Sequence, residues 1–148
     1  MTIIAGVWRQ AGEFDPAHRC AAMLNAARGA GHAPAEIEVS SGVAFGCRLR
    51  PILAEDSFRF RSPALRPETL FAFDGRLDNR DEIAAWIGLS AGESSRCSDA
   101  GLAALAWDRG GVESTARLLG DFALAAWDGR TRQLAIARGP LSMRALYL

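Results

Sequence analysis

The sequence has no excess of charge of either sign, because its 17 basic residues balance its 17 acidic residues. Proteins that bind nucleic acids or membrane surfaces usually carry a basic excess or patch, so neither partner is expected. The sequence also lacks the run of about 20 apolar residues that a membrane helix needs. Its first apolar run, at residues 3–8, follows no positive charge and is stopped by Arg9, unlike a secretory signal peptide. These absences predict a cytoplasmic location.

Cysteine and histidine are scarce. The three cysteines, Cys20, Cys47 and Cys97, are odd in number and far apart, which argues against a disulfide framework or a zinc site. His18 and His32 have no clustered partner that could complete a set of metal ligands. We therefore expect reduced thiols and no metal site.

The length of 148 residues predicts one domain over residues 1–148, and 49% apolar residues are ordinary for a globular protein. Apolar runs and turn residues predict strands at 3–8, 36–40, 43–49, 69–73, 122–127 and 133–138. Capping residues and helical spacing predict helices at 16–29, from 78 or 79 to 88, from 98 to 110, and at 112–119.

Residues 51–67 contain three prolines and scattered charge, and are predicted to be irregular with at most a short edge strand at 58–60. The predicted strands occur in pairs at both ends of the chain, with helices clustered between them. This order predicts a layered α/β domain whose sheets are sandwiched by helices.

Six segments of the chain, taken in order, resemble the N-terminal glutaminase domain of asparagine synthetases. They read MTIIAG, CRL, FDGRLDN, SDAGLAALAW, LLGDFALAAWD and LAIARGPLSMRALYL. The family pattern reads M-C-G-I-x-G, R-L, N-G-E-I-Y-N, S-D-T-E, L-x-G-x-F-A-x-x-x-W-D and L-x-x-A-R-D-x-x-G-x-K-P-L-Y-Y. These domains are class II glutamine amidotransferases with the N-terminal-nucleophile hydrolase fold. The resemblance therefore implies a four-layer αββα sandwich.

The resemblance also implies where a reaction centre would lie. In the family, a cysteine exposed as the first residue attacks the side-chain amide of glutamine, and its own α-amine acts as the base. Thr2 stands at this position. The family's oxyanion hole is formed by an asparagine side chain and a glycine amide, and here these positions hold Asp74 and Gly75. A carboxylate at position 74 would repel the negative charge that develops in the reaction.

The residues that hold the glutamine substrate are carried over in the same way. In the family, a glutamate and an aspartate hold its ammonium, and an arginine holds its carboxylate. The matching positions are Arg76, Asp99 and Arg48. Arg76 reverses the charge at the ammonium site, whereas Asp99 and Arg48 keep the family's residues. Simpler explanations are that Asp99 is a first-turn helix carboxylate and that Arg48 is an internal ion-pair partner.

A relic pocket lined by these residues would contain two positive and two negative side chains. Because an uncompensated buried charge is unfavourable, such charges should pair internally. We predict that Arg76 pairs with Asp99, or Arg48 with Asp74, within about 4 Å.

These exchanges predict that no catalytic site is intact and that glutaminase activity is lost. Loss of one oxyanion donor alone lowers the rate by about 10²- to 10³-fold. The alternative is that Thr2 is itself an N-terminal nucleophile, although its α-amine is blocked while Met1 is present.

In the resembled family, this domain precedes a synthetase domain that uses ATP and magnesium to adenylate a carboxylate and carries an S-G-G-x-D-S loop. The chain contains no such loop. ATP and magnesium are therefore expected on a C-terminal or separate synthetase domain, which would be the main partner. If the chain is part of a longer protein, we expect apolar residues to be exposed near 145–148.

The leading hypothesis is a degenerate glutaminase domain that serves as scaffold or docking partner for an amide-forming ligase. β-Lactam synthetases and lasso peptide cyclases are family members of this kind, because their substrates supply the amine. One alternative is an asparagine synthetase relative that uses free ammonia. Another is a free-standing module that binds a peptide or a small amino acid. A homodimer is compatible with each hypothesis.

Overall fold

A computed structural model describes residues 2–9, 12, 14–27, 34–49, 68–141 and 143–147. Its strands are β1 (Ile3–Trp8), β2 (Glu36–Ser40), β3 (Val43–Arg48), β4 (Thr69–Leu77), β5 (Gly120–Asp128) and β6 (Gln133–Arg138). Its α-helices are α1 (Pro16–Ala26), α2 (Arg80–Ile87), α3 (Ala91–Ser94) and α4 (Asp99–Gly110), and a 3₁₀ helix spans Gly111–Arg117. The segment predicted to be irregular, residues 51–67 with the edge strand at 58–60, lies outside the described residues.

Local capping signals fix the starts of the two longest helices. The Asp15 side chain accepts a hydrogen bond of 2.9 Å from the Ala17 amide, and Pro16 occupies the first turn of α1. The Ser98 hydroxyl accepts one of 3.1 Å from the Gly101 amide at the start of α4. Both helix starts were predicted from these residue types, and both are confirmed.

The middle of the chain differs from the prediction in two elements. Helix α3 was not predicted, although Ser90 and Glu93 form a capping box at its start. The helix predicted at residues 112–119 is the 3₁₀ helix Gly111–Arg117. Both segments are short, so the apolar periodicity that identifies a helix has too few turns to be read.

Strand β4 is longer than predicted. The predicted strand ended at residue 73, before an expected turn at Asp74-Gly75, whereas β4 continues to Leu77 and pairs with β5 throughout. Gly75 has φ of +149°, and a Cβ atom there would collide with the backbone of Asp121 and Phe122. Glycine is therefore required by the close approach of β5 and not by a turn.

The strands form two antiparallel three-stranded sheets, in the orders β1-β3-β2 and β4-β5-β6. Strands β5 and β6 form the predicted hairpin, in which the Asp128 carboxylate accepts hydrogen bonds from the Arg130 and Thr131 amides across the turn. Strands β2 and β3 form a second hairpin around Ser41-Gly42, also as predicted.

Three apolar clusters alternate with the sheets. The first packs α1 against the β1-β3-β2 sheet, the second lies between the sheets, and the third packs α2 and α4 against the other face of the β4-β5-β6 sheet. The alternation is visible within β3, where Ala44 belongs to the first cluster while Val43 and Phe45 belong to the second. A mixed α/β fold with two antiparallel sheets and packed helices is thus confirmed.

The described residues contain no helix that is long and apolar enough to cross a membrane. Cys20, Cys47 and Cys97 all carry free thiols. Within the described ranges, no group of three or more His, Cys, Asp or Glu side chains is placed to hold a metal ion.

Candidate functional site

A cavity of about 490 Å³ lies between the two sheets, and two of the predicted site residues line it. Thr2 immediately precedes β1. Asp74 lies in β4, where Leu70 and Ala72, four and two residues earlier, pack into the cluster between the sheets. The alternation of side chains along a strand therefore directs Asp74 into the same space.

Asp74 is held by an arginine that was not among the predicted site residues. Arg144 Nη1 lies 2.6 Å from Asp74 Oδ2, and Arg144 Nε lies 3.4 Å from Asp121 Oδ2. The Met143 amide also donates to Asp121 Oδ1, at 3.1 Å. The predicted pairing of Asp74 with Arg48 is therefore wrong, because the segment after β6 delivers a different guanidinium to this carboxylate.

A signal for Arg144 was present in the sequence. Arg144 stands where the family pattern has its lysine, within the segment LAIARGPLSMRALYL. A basic residue at this position, together with a carboxylate at position 74, could have suggested the pair. The separation of 70 residues hides it from any local pattern.

The environment of Asp74 disfavours its charged form. Burial raises the pKa of the Asp74 carboxyl above its usual value, while the hydrogen bond and the positive charge of Arg144 lower it. The net direction is upward, so desolvation outweighs the ion pair. While it is ionised and bound to Arg144, the Asp74 carboxylate only accepts hydrogen bonds and cannot donate one to a developing oxyanion.

Arg76 turns away from the cavity. Its guanidinium binds Asp78, with Nη2 2.8 Å from Oδ1, and its side chain is 62% exposed. The predicted pairing of Arg76 with Asp99 is wrong. Arg76 and Asp78 are two residues apart at the end of β4, which places their side chains on the same side of the chain.

Asp99 instead joins three elements. It is buried at the start of α4, accepts a hydrogen bond of 2.8 Å from the Leu77 amide and forms an ion pair with Arg80. Arg80 also donates to the carbonyl oxygens of Ser94 and Cys97, at 3.2 and 2.7 Å. Asp99 thus ties the end of β4 and helix α2 to the start of α4, and it does not line the cavity.

Arg48 lies at the end of β3, also outside the cavity lining. Its Nη2 donates to Asn25 Oδ1 in α1 at 2.7 Å, and its buried Nε has no hydrogen-bond partner among the described residues. The structure therefore brings Thr2 and Asp74 together, with Gly75 adjacent in β4, and places Arg48, Arg76 and Asp99 elsewhere.

Comparison with known protein families adds an independent observation. Residues 55–148 match the family model described as a glutamine amidotransferase domain. The matched range contains Asp74, Arg76, Asp99 and Arg144, whereas Thr2 precedes it. No curated protein matches the chain. Because the match covers more than half of the chain, the protein belongs to the glutamine amidotransferase domain family.

Proposed function

We propose that this amidotransferase domain does not hydrolyse glutamine and serves as a scaffold or docking domain of an ATP-dependent, asparagine synthetase-like amide ligase. The observation that carries the proposal is the Asp74–Arg144 ion pair, 2.6 Å long, at the position of the oxyanion hole. The resemblance assigns position 74 to the oxyanion hole, where an amidotransferase needs a hydrogen-bond donor, and a carboxylate bound to an arginine supplies none.

Arg144 does not replace the missing donor. Its guanidinium already binds Asp74 and lies 3.4 Å from Asp121, so its charge is offset by two carboxylates. A useful oxyanion donor must instead be directed at the position where the negative charge develops. The Asp74–Arg144 pair therefore compensates the charge of Asp74 within the protein. The sequence had predicted such compensation by an Arg76–Asp99 or an Arg48–Asp74 pair.

The substrate-holding positions support the same proposal. Arg76 is exposed on Asp78, and the Asp99 carboxylate is engaged by Arg80 and the Leu77 amide. A glutamine ammonium would have to displace Arg80 to reach Asp99. Because Asp99 is 3% exposed, that exchange would disrupt the junction of β4, α2 and α4.

We also propose that the domain has the four-layer αββα architecture of N-terminal-nucleophile hydrolases. The order of the three apolar clusters supports this, since helix α1, the two sheets, and helices α2 and α4 follow one another.

A synthetase partner would bind ATP and magnesium and carry out the amide-forming chemistry, as in lasso peptide cyclases and β-lactam synthetases. Leu141, Met143 and Tyr147 support a docking role, because their side chains are 95%, 94% and 91% exposed. Met143, Ala145 and Tyr147 alternate with Arg144 and Leu146, which are partly buried. An extended segment with one apolar exposed side is suited to covering by another protein surface.

The proposal can be tested by glutamine binding in a calorimeter. The wild-type chain should show no saturable heat with glutamine. A variant carrying Thr2→Cys, Asp74→Asn and Arg76→Glu, with Met1 removed and the mass verified, should gain binding. The single variant Thr2→Cys is the control, because it restores the nucleophile but leaves Asp74 and Arg76 unchanged. Saturable glutamine binding by the wild-type chain would refute the proposal.

A further inference from the structure

The indole ring of Trp86 is contacted by two arginine side chains. The guanidinium carbon of Arg109 lies 5.5 Å from the ring centroid, and that of Arg117 lies 4.7 Å from it. Both distances are within the roughly 6 Å over which an aromatic face attracts a cation. Trp86 belongs to α2, Arg109 to the last turn of α4 and Arg117 to the last turn of the 3₁₀ helix. Three elements therefore bring two positive charges to one aromatic side chain.

Neighbouring contacts fix the positions of Trp86 and Arg117. A Cβ atom at Gly110 would lie 2.9 Å from Trp86 Cη2, so the glycine leaves room for the indole against the end of α4. The Asn79 side chain donates to the Arg117 carbonyl oxygen at 2.9 Å and accepts from the Leu119 amide at 3.0 Å. Because Asn79 immediately precedes α2, these bonds hold the end of the 3₁₀ helix beside the helix that carries Trp86.

No carboxylate compensates the two arginines. Within the described residues, no ion pair joins Arg109 or Arg117 to an acidic side chain. Glu113 lies four residues from each of them in the sequence and is exposed, but it pairs with neither. Like charges that gather on one surface repel each other, and a negatively charged partner would relieve that repulsion.

Both guanidinium groups are available to such a partner. Arg109 and Arg117 are exposed, and their contacts in the described part of the chain are with the ring of Trp86. Each guanidinium carries five N–H donors in a planar fork that matches the two oxygens of a carboxylate. Since the ring already restrains each side chain, less conformational freedom is lost when it binds.

The surroundings favour a protein partner. Val112, 56% exposed, lies on the same 3₁₀ helix as Arg117, and Leu119, 52% exposed, follows two residues later. Arginine and aromatic side chains together with apolar ones are typical of protein interfaces. Nucleic acids require a longer basic stripe than two arginines, and the chain has no basic excess.

We propose that the surface formed by Trp86, Arg109 and Arg117 binds an acidic segment of a partner protein, two of whose carboxylates pair with the two guanidinium groups. The surface belongs to the layer of α2 and α4, on the face of the β4-β5-β6 sheet opposite the cavity that Thr2 and Asp74 line. It is therefore separate from the site of glutamine chemistry and does not depend on the proposed function.

Capped tetraglutamate is the probe for this surface, and capped tetraglutamine is its uncharged control. Indole N–H signals in ¹H–¹⁵N spectra of the full chain at low ionic strength report binding, and the Trp86 signal is assigned by its loss in Trp86→Phe. We expect tetraglutamate to shift this signal saturably and tetraglutamine to leave it unchanged. Inorganic phosphate is the third probe and should bind more weakly than tetraglutamate.

Removing the two guanidinium groups provides the second arm. Arg109→Gln with Arg117→Gln should raise the dissociation constant of tetraglutamate about tenfold, because two exposed ion pairs are lost. Arg96→Gln with Arg138→Gln is the matched control, since it removes the same charge from two other exposed arginines and should leave the dissociation constant nearly unchanged. The single variants Arg109→Gln and Arg117→Gln, each with an expected increase of about threefold, replace the double variant if it does not fold.

Three results would contradict the proposal. Absence of a saturable shift with tetraglutamate, or an equal shift with tetraglutamine, would overturn the site. Equal losses of affinity in the two double variants would show that the attraction depends on net charge alone. Phosphate binding as tight as that of tetraglutamate would identify a site for small anions and overturn the acidic protein segment.

Discussion

Replacing Arg80 with alanine would remove the cation that compensates a buried carboxylate. The Asp99 side chain is 4% exposed and forms its ion pair with Arg80, whose own side chain is 24% exposed. The change would also remove the hydrogen bonds to the Ser94 and Cys97 carbonyl oxygens. Breaking a buried pair by deleting one partner lowers the free energy of unfolding by about 3 to 5 kcal/mol. Because Arg80 is partly exposed, we expect about 3 kcal/mol, at the lower end of that range.

Urea unfolding, followed by circular dichroism, would measure this change. Arg76→Ala is the matched control, since Arg76 pairs with Asp78 on the surface and such pairs contribute about 0 to 1 kcal/mol. In thermal unfolding, each kcal/mol corresponds to roughly 2–4 °C for a chain of this size. A loss for Arg80→Ala no larger than that for Arg76→Ala would refute the structural role of the Asp99–Arg80 pair. It would also make Asp99 available again as a ligand-binding residue.

Two further predictions concern titratable groups. Burial, together with the charges of Glu36 and Glu38, raises the pKa of the Cys47 thiol to about 11. Alkylation of Cys47 by iodoacetamide in the native protein should therefore be very slow at pH 8 and should accelerate as the pH rises towards that value. Rapid alkylation at pH 8 would contradict the environment described for Cys47. Arg144→Ala should lower the free energy of unfolding by about 2 kcal/mol at pH 7, less than for a fully buried pair, by leaving the Asp74 carboxylate buried without this cation. Since burial already raises the Asp74 pKa, protonation relieves the penalty, and the loss should shrink as pH falls towards the unfolded carboxyl pKa of about 3.9. Urea titrations at pH 7 and pH 4 measure this difference, and an equal loss at both values would count against it.

Elements set by neighbouring residues could be predicted from the sequence. The start of α1 depends on Asp15 and Pro16, and the β5–β6 hairpin depends on Asp128 and the residues after it. Each signal acts within a few residues of the structure that it determines. The continuation of β4 through Gly75 is different, because it depends on pairing with β5 about 50 residues later.

The site was harder to predict than the fold for the same reason. The resemblance identified Thr2 and Asp74, which the structure places around one cavity, but it gave no means of choosing the partner of each charge. Arg144 reaches Asp74 across 70 residues, whereas Arg76 pairs with a residue only two positions away. Long-range packing decides which of several compatible ion pairs forms.

The central claim is that a carboxylate held by Arg144 replaces the oxyanion donor and leaves the domain without glutaminase activity. The most direct test is the initial rate of glutamate release from glutamine by the purified chain, measured with and without Met1 and beside Thr2→Ala. We predict that both forms match Thr2→Ala and the enzyme-free blank. A rate above the blank that Thr2→Ala abolishes would contradict the claim and establish Thr2 as a working nucleophile.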